Sequence, residues 1–227
     1  LFPEASTIRM DIDTVTKKNS HEQILETFKN DNIDILIGTQ MVVKGHHFPN
    51  VTLVGVIAAD GSLNIDDFRA NERTFQILTQ VAGRAGRGKD KGRVIIQTYN
   101  PDNFSIECAK KQDYSLFYHT EISLRKQLKY PPFCDIIVIG FSSENRIEVE
   151  KVAEEVHSYL KNRVLKENIG IILYKALPSP IDRIKNKYRW RILIKCKFSD
   201  EIINLINETI NFYYSLKKKE TRIIVDV

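Results

Sequence analysis

The chain has 227 residues, of which 42% are hydrophobic and 28% charged, with a net charge of +5 and a pI of about 9.0. That is enough for one or two domains with real cores, and no apolar run approaches the roughly 20 residues a bilayer-spanning helix needs. Three scattered cysteines (Cys108, Cys134 and Cys196) contain no C-x-x-C pair, so free thiols in a reducing cytoplasm are expected rather than a zinc site or a disulfide framework.

The opening "LFPEASTIRMD" reads like the interior of a longer protein, so a fragment or processed chain is expected. "STIRMDID" predicts a strand. "SHEQILETFKN" predicts a helix, with Ser20 and Gln23 as a capping box and Ile24, Leu25 and Phe28 on one face. "DILIG" and "VTLVGVIAAD" are short apolar runs suited to buried parallel strands. A helix is predicted from Asp67 to Ala85, with Phe68, Phe75, Leu78 and Val81 as its stripe, and "RVIIQTY" follows as a third buried strand. Strands alternating with helices at this spacing predict an α/β fold with helices on both faces of a parallel sheet.

Helices are expected over Phe104–Lys111 and Tyr114–Lys129, ending at "YPPF", where Pro131 and Pro132 cannot continue a helix. Beyond that break come a strand "DIIVIGFSS", a helix over Glu144–Glu167, a strand "GIILYKAL" and a basic loop. The strand "YRWRILIKCKF", a helix capped by Ser199 and a closing strand "TRIIVDV" complete the chain. The order β-α-β-β-α-β is the split βαβ, ferredoxin-like plan of a small α+β domain. The expected division is a lobe at 1–103, a helical connector at 104–130 and a C-terminal domain at 131–227.

Two loops carry chemistry. "ILIGTQMVVKGHHF" begins where a strand ends and holds Gly38, Thr39, Gln40, Lys44, Gly45 and His47; loops at the carboxyl ends of parallel strands are where open α/β sheets bind ligands. A Gly-Thr turn offers backbone N–H groups and a hydroxyl to a phosphate. "QVAGRAGRGKDKGRV" places Arg84 and Arg87 three residues apart at the end of a helix, on one side of it. Alone, that cluster also reads as a flexible basic turn. The charge is uneven: residues 1–130 hold 17 cations and 16 anions, residues 131–227 hold 17 and 13, and Ile181–Lys197 holds seven cations and one anion.

These motifs resemble a family. "GTQMVVKGHHFPNVTLV" is similar to motif V, and "QVAGRAGR" to motif VI, of superfamily 2 helicases. The longer run "DGSLNIDDFRANERTFQILTQVAGRAGR", with "GRVIIQTYNP", "YPPF" and "YRWRIL", resembles the primosomal protein N′ family of bacterial replication-restart helicases along nearly the whole chain. The resemblance implies a second RecA-like helicase lobe with a parallel sheet, followed by the family's C-terminal domain. In such enzymes ATP sits between two lobes, and the second supplies arginines that reach the γ-phosphate. Arg84 and Arg87 match those arginines, and Gln80 matches the motif's first polar position, orienting a partner. A guanidinium forks onto phosphate oxygens and stabilises charge developing in phosphoryl transfer. Thr39, Gln40 and Lys44 are carried over as DNA contacts, and Gly45 and His47 as the nucleotide edge. His47 stands where many relatives carry Asp, so it is either a nucleotide contact or a loop histidine bonded to backbone.

No G-x-x-x-x-G-K-[ST] and no Asp-Glu-x-His box occurs in the sequence. ATP and Mg²⁺ are therefore expected in the intact parent, with this chain alone inactive and holding no metal. The resemblance places the family's zinc outside this chain. In the C-terminal domain Arg183, Lys185, Lys187, Arg189, Arg191 and Lys195 cluster on a loop and strand, interleaved with Tyr188 and Trp190, which suits a nucleic-acid backbone and a stacked base. The other reading of the stretch is that alternate residues Tyr188, Trp190 or Ile192 face the core while the arginines are merely solvated. The expected partners, by resemblance, are branched and single-stranded DNA, a single-stranded-DNA-binding protein and primosome proteins, in a cytoplasmic, nucleoid-associated enzyme with no membrane contact. The competing readings are a non-catalytic docking module that keeps a helicase-lobe fold, and another superfamily 2 translocase.

Overall fold

A computed structural model of the chain describes residues 2–11, 20–31, 33–39, 48, 51–83 and 92–227. It divides into two compact units, Leu1–Tyr118 and His119–Val227.

In the first unit, β1 (Thr7–Met10) pairs in parallel with β2 (Ile35–Gly38), and α1 (Ser20–Asn30) lies between them in sequence. Ser6 and Asp34 lock the start of this pair. The Ser6 N–H and hydroxyl both donate to Asp34 Oδ2 at 2.8 Å, and the Asp34 N–H returns a bond to Ser6 Oγ at 3.0 Å. A second parallel pair joins β3 (Leu53–Val56) to β4 (Arg93–Ile96), through α2 (Asp60–Leu63) and α3 (Ala70–Ala82). Parallel pairing needs such crossovers, because the chain must return to the same end of the sheet.

α3 starts three residues later than the apolar stripe predicts. Asp67 turns back on the helix entrance instead, accepting from Arg69 N at 2.9 Å and Arg69 Nε at 3.0 Å and pairing with Arg73 at 3.0 Å. The expected end at Ala85 lies outside the described residues. The stripe itself is buried at Phe75, Leu78 and Val81, while Phe68 is half-buried. Phe75 stacks on Phe117 with ring centroids 4.2 Å apart, and Phe104 adds a third ring at 5.7 Å from Phe117. These aromatics, with Leu78, Ile106 and Ala109, bind α3 to α4 (Phe104–Lys111) and the start of α5 (Tyr114–Leu128). Asn103 caps α4 by accepting from Ser105 N at 2.9 Å.

The second unit is built on β5 (Asp135–Ser143), a nine-residue strand whose alternate residues Ile137, Ile139 and Phe141 are buried. α6 (Arg146–Glu167) follows. Asn145 caps it through bonds from Ile147 N and Glu148 N, and Val149, Val152, Ala153, Val156 and Leu160 form its inward stripe. Next come β6 (Ile172–Leu173), β7 (Leu177–Ile184), β8 (Lys187–Cys196), α7 (Asp200–Ser215) and β9 (Arg222–Asp226). Ser199 caps α7, accepting from Ile202 N.

All strand pairs here are antiparallel, in the order β6-β8-β5-β9, with β7 also on β8. Helices α6 and α7 supply the rest of the core against the inner face of β5 and β8. Their outer sides are tied by Arg163, which pairs with Glu167 at 2.9 Å and with Glu208 of α7.

The basic loop expected between residues 177 and 188 is largely strand. β7 and β8 form a hairpin whose two-residue turn is Lys185–Asn186, both at positive φ (48° and 63°). Such turns match the twist of the flanking strands and usually advertise themselves with Asn-Gly or Asp-Gly; here no glycine marks it.

Ile139 is fully buried and the single tryptophan, Trp190, packs against the same core, so its fluorescence reports this unit. Removing one buried methyl by Ile139→Val should cost about 0.5–1.5 kcal/mol. Urea titration of the chain followed at Trp190 measures it; an unchanged midpoint contradicts the packing described.

Candidate functional site

The residues expected to meet nucleotide and DNA in the first unit follow directly from its strands and α3. Thr39 stands one residue beyond the carboxyl end of β2 and is exposed. Gln80 is exposed in the last turn of α3, and Gly83 ends that helix with its N–H donating to Thr79 O at 3.1 Å. Gln40, Lys44, Gly45, His47, Arg84 and Arg87 lie outside the described residues. The described flanks nonetheless fix the order: a helix ending at Gly83, the arginine motif, then β4 of a parallel pair.

A second feature was passed over in the sequence. β3 stops short of where its apolar run ends. Ala58, at φ 54°, turns the chain after β3, and Asp60 follows. Asp60 accepts from Thr98 Oγ1 at 2.7 Å and from Tyr99 N at 2.9 Å, tying the two strand ends together. The Thr98 hydroxyl first, and the Tyr99 N–H second, hold the Asp60 carboxyl below the usual carboxylate range. Around it opens a cleft of about 320 Å³ lined by Asp60, Leu63, Asn64, Asn71, Tyr99, Asn100 and Asn103. The available signal was positional: "DGSLN" and "TYNPDN" each follow the carboxyl end of a strand.

In the second unit, strand alternation sorts the basic stretch into two faces. Trp190 pairs with Phe141, which is buried, and so lies on the helix-covered face; Tyr188 and Trp190 pack against the core. Arg189 and Arg191 pair with Ser142 and Gly140 on the opposite face. On the far side of β5, Ser142 pairs with Arg222 and Gly140 with Ile224. A Cβ placed on Gly140 would meet only the Ile224 carbonyl oxygen, at 3.8 Å, so this outer face is open at Gly140, with Arg189 and Arg191 half-buried beside it. Arg189, Arg191 and Arg222 thus share one open face, and Arg222 was not singled out in the sequence because it comes from a strand 31 residues away. Lys187 follows the same alternation as Arg189, whereas Arg183 lies with its guanidinium 5.0 Å from the Tyr188 ring centroid and donates to Asn186 Oδ1 at 3.3 Å. The basic residues and the tryptophan therefore do not form one surface.

Lys195 is removed from that surface altogether. It is 5% exposed, lies 3.6 Å from the Tyr130 ring centroid and donates to the Leu128 carbonyl at 2.8 Å. It satisfies a carbonyl in the last turn of α5, which a helix cannot satisfy internally. Cys108 and Cys196 are buried, burial pushes both thiols up, and all three cysteines are free. Among the described residues no helix is long and apolar enough to cross a membrane.

Comparison with known proteins fits these two units. Residues 5–89 match the helicase conserved C-terminal domain, and residues 126–227 match the primosomal protein N C-terminal domain. A helicase-type α/β lobe with parallel strands, followed by a primosomal C-terminal domain, is the class that fold and motifs define. The Replication restart protein PriA of Bacillus subtilis is 42% identical over 230 residues, covering 100% of this chain and 28% of that protein. The proteins of the same name from Synechocystis and Rickettsia felis are 42% identical over 194 residues and 40% over 218, covering 86% and 96% of this chain. The chain belongs to the PriA family of replication restart proteins, matching a C-terminal portion. It spans less than a third of the length of these relatives. A de novo designed protein, Ferredog-Diesel, aligns with 41% of the chain at 20% identity and a TM-score of 0.28, too low to bear on the fold.

Proposed function

We propose that this chain is the C-terminal portion of an ATP-dependent 3′→5′ DNA helicase that restarts stalled replication forks by primosome assembly. It contributes motif V, the motif VI arginines and a DNA- and partner-binding domain. The observation that carries the reading is the placement of "GRAGR", residues 83–87, at the end of α3 and a few residues ahead of β4, which begins at Arg93 in a parallel pair. Arg84 and Arg87 act on the γ-phosphate of an ATP held mainly by the other lobe, with Gln80 beside them. Gly45 and His47 form the nucleotide edge, and Thr39, Gln40 and Lys44 touch the DNA strand. ATP and Mg²⁺ bind the intact protein, and zinc binds outside this chain.

The lobe occupies 1–103, the connector 104–130 and the C-terminal domain 131–227. The strand order β6-β8-β5-β9, with α6 and α7 on one face, supports a ferredoxin-like plan for the last of these. Its open face, with Arg189, Arg191 and Arg222, is the surface for forked or single-stranded DNA. A single-stranded-DNA-binding protein and primosome proteins are the protein partners, in the cytoplasm at the nucleoid.

The test is a steady-state ATPase assay with single-stranded DNA on the intact protein and on this chain alone. Turnover is expected only from the intact protein, because the phosphate-binding G-x-x-x-x-G-K-[ST] element is missing from this sequence. Turnover by this chain alone overturns the assignment of half-sites. An intact protein that binds DNA without hydrolysing ATP favours a docking module.

A further inference from the structure

The cleft at the ends of β3 and β4 has no part in the roles assigned so far. It lies where strands of open α/β sheets present their carboxyl ends, the usual place for a ligand in such folds. At about 320 Å³ it falls in the size range of small-ligand pockets. Among the described residues its lining includes no Lys or Arg and one carboxylate, Asp60. A phosphate is repelled there.

What the lining offers is hydrogen-bonding edges. Asn64, Asn71, Asn100 and Asn103 bring four side-chain amides, each able to donate and accept. Asn103 spends its oxygen on Ser105, leaving its NH₂ group. Within the fold Asp60 Oδ1 accepts from Thr98 Oγ1 and Oδ2 from the Tyr99 N–H, and a carboxylate's two oxygens together offer about four acceptor sites. At the mouth Tyr99 is 96% exposed, with no ring or cation recorded against it among the described residues. A large exposed ring beside an amide-lined hollow is the arrangement on which bases stack while their edges are read.

We propose that this cleft receives one unpaired nucleobase of the single strand, stacked on Tyr99, with its edge against the asparagine amides and its amino group on Asp60. The strand's phosphates stay at the rim, away from the carboxylate. A free nucleoside triphosphate would have to bring its phosphates with it, so the strand is the favoured source. An amino group is needed to meet Asp60, so cytosine is preferred to thymine. The proposal rests on the helicase reading above.

The experiment uses the intact protein and fluorescence anisotropy with three probes of equal length: oligo-dC, oligo-dT and an abasic strand. Oligo-dC is expected to bind about 10-fold more tightly than the abasic strand, in line with a stacked base. Tyr99→Ala and, independently, Asn100→Ala should remove most of that difference and the preference over oligo-dT. Both side chains are exposed, so folding is not at stake. The dependence of affinity on salt should stay as in the wild type, because no phosphate contact is lost. If both variants keep the full dC-over-abasic difference, the cleft holds no base. Cytidine binding that is lost in Tyr99→Ala, with strand binding unchanged, overturns the assignment to the strand. Failure of the wild-type protein to bind any strand or to hydrolyse ATP is a different result, and it sinks the helicase reading itself.

Discussion

Arg84→Ala and Arg87→Ala, each made in the intact protein, should lower DNA-stimulated ATP hydrolysis and unwinding by ~10³ or more, the typical worth of an arginine that stabilises charge on a transferring phosphoryl group. The expected loss is large because guanidinium stays charged at any working pH and presents a planar fork of donors. Gln80 and Gly83 carry no charge, and the arginine that remains in each variant stands three residues away, at a different position of the motif. The melting temperature should not change, since the described core leading into the motif is the Phe75–Phe117–Phe104 stack and the α3 stripe. DNA binding without ATP should survive. Near-normal ATPase rates in both single variants, at an unchanged melting temperature, would mean that the cluster is a basic turn.

The second large effect is expected on the open sheet face. Arg189→Glu combined with Arg191→Glu should weaken DNA binding by the intact protein by about 100-fold at low salt, because two phosphate contacts are lost and two anions introduced. The two side chains lie on one face because they are two residues apart on β8, and Arg222 joins them across β5 at Ser142. Rows of arginine around a glycine and a serine leave room for a backbone to approach. The slope of log K against log salt should flatten by about 0.7–0.9 for each contact removed. Trp190→Phe, on the other face, should leave affinity and slope alone and register instead in the stability of the second unit. Unchanged affinity and slope in the double arginine variant make these residues a solvated face and shift the domain's role toward protein partners.

Much of the fold was legible because local rules act over a few residues. The helices at 104–111 and 146–167 end where an asparagine caps the first turn and another side chain takes the left-handed position after the last. Ser199 likewise announced α7. The elements that were misjudged depended on partners. The hairpin turn at Lys185–Asn186 carries no glycine and reads as a charged loop until β7 is seen lying against β8. The entrance of α3 shifted because Asp67 found two arginines, one on the helix itself.

By itself the sequence determined most of the order of strands and helices, the cap that starts α7 and the family motifs, including the pair of arginines three residues apart. These are properties of neighbours in the chain, set by side-chain periodicity and by caps that reach no further than one turn. Only the tertiary structure decided which residues share a surface. It set Trp190 against the core and Arg189 and Arg191 outside, drew Arg222 beside them from another strand, and buried Lys195 beneath Tyr130. It also opened the Asp60–Tyr99 cleft from two strand ends 39 residues apart. The reason is physical: alternation along a strand fixes that successive residues take opposite faces, but which face is covered by helices, and which strand lies alongside, is fixed only by burial of the assembled core.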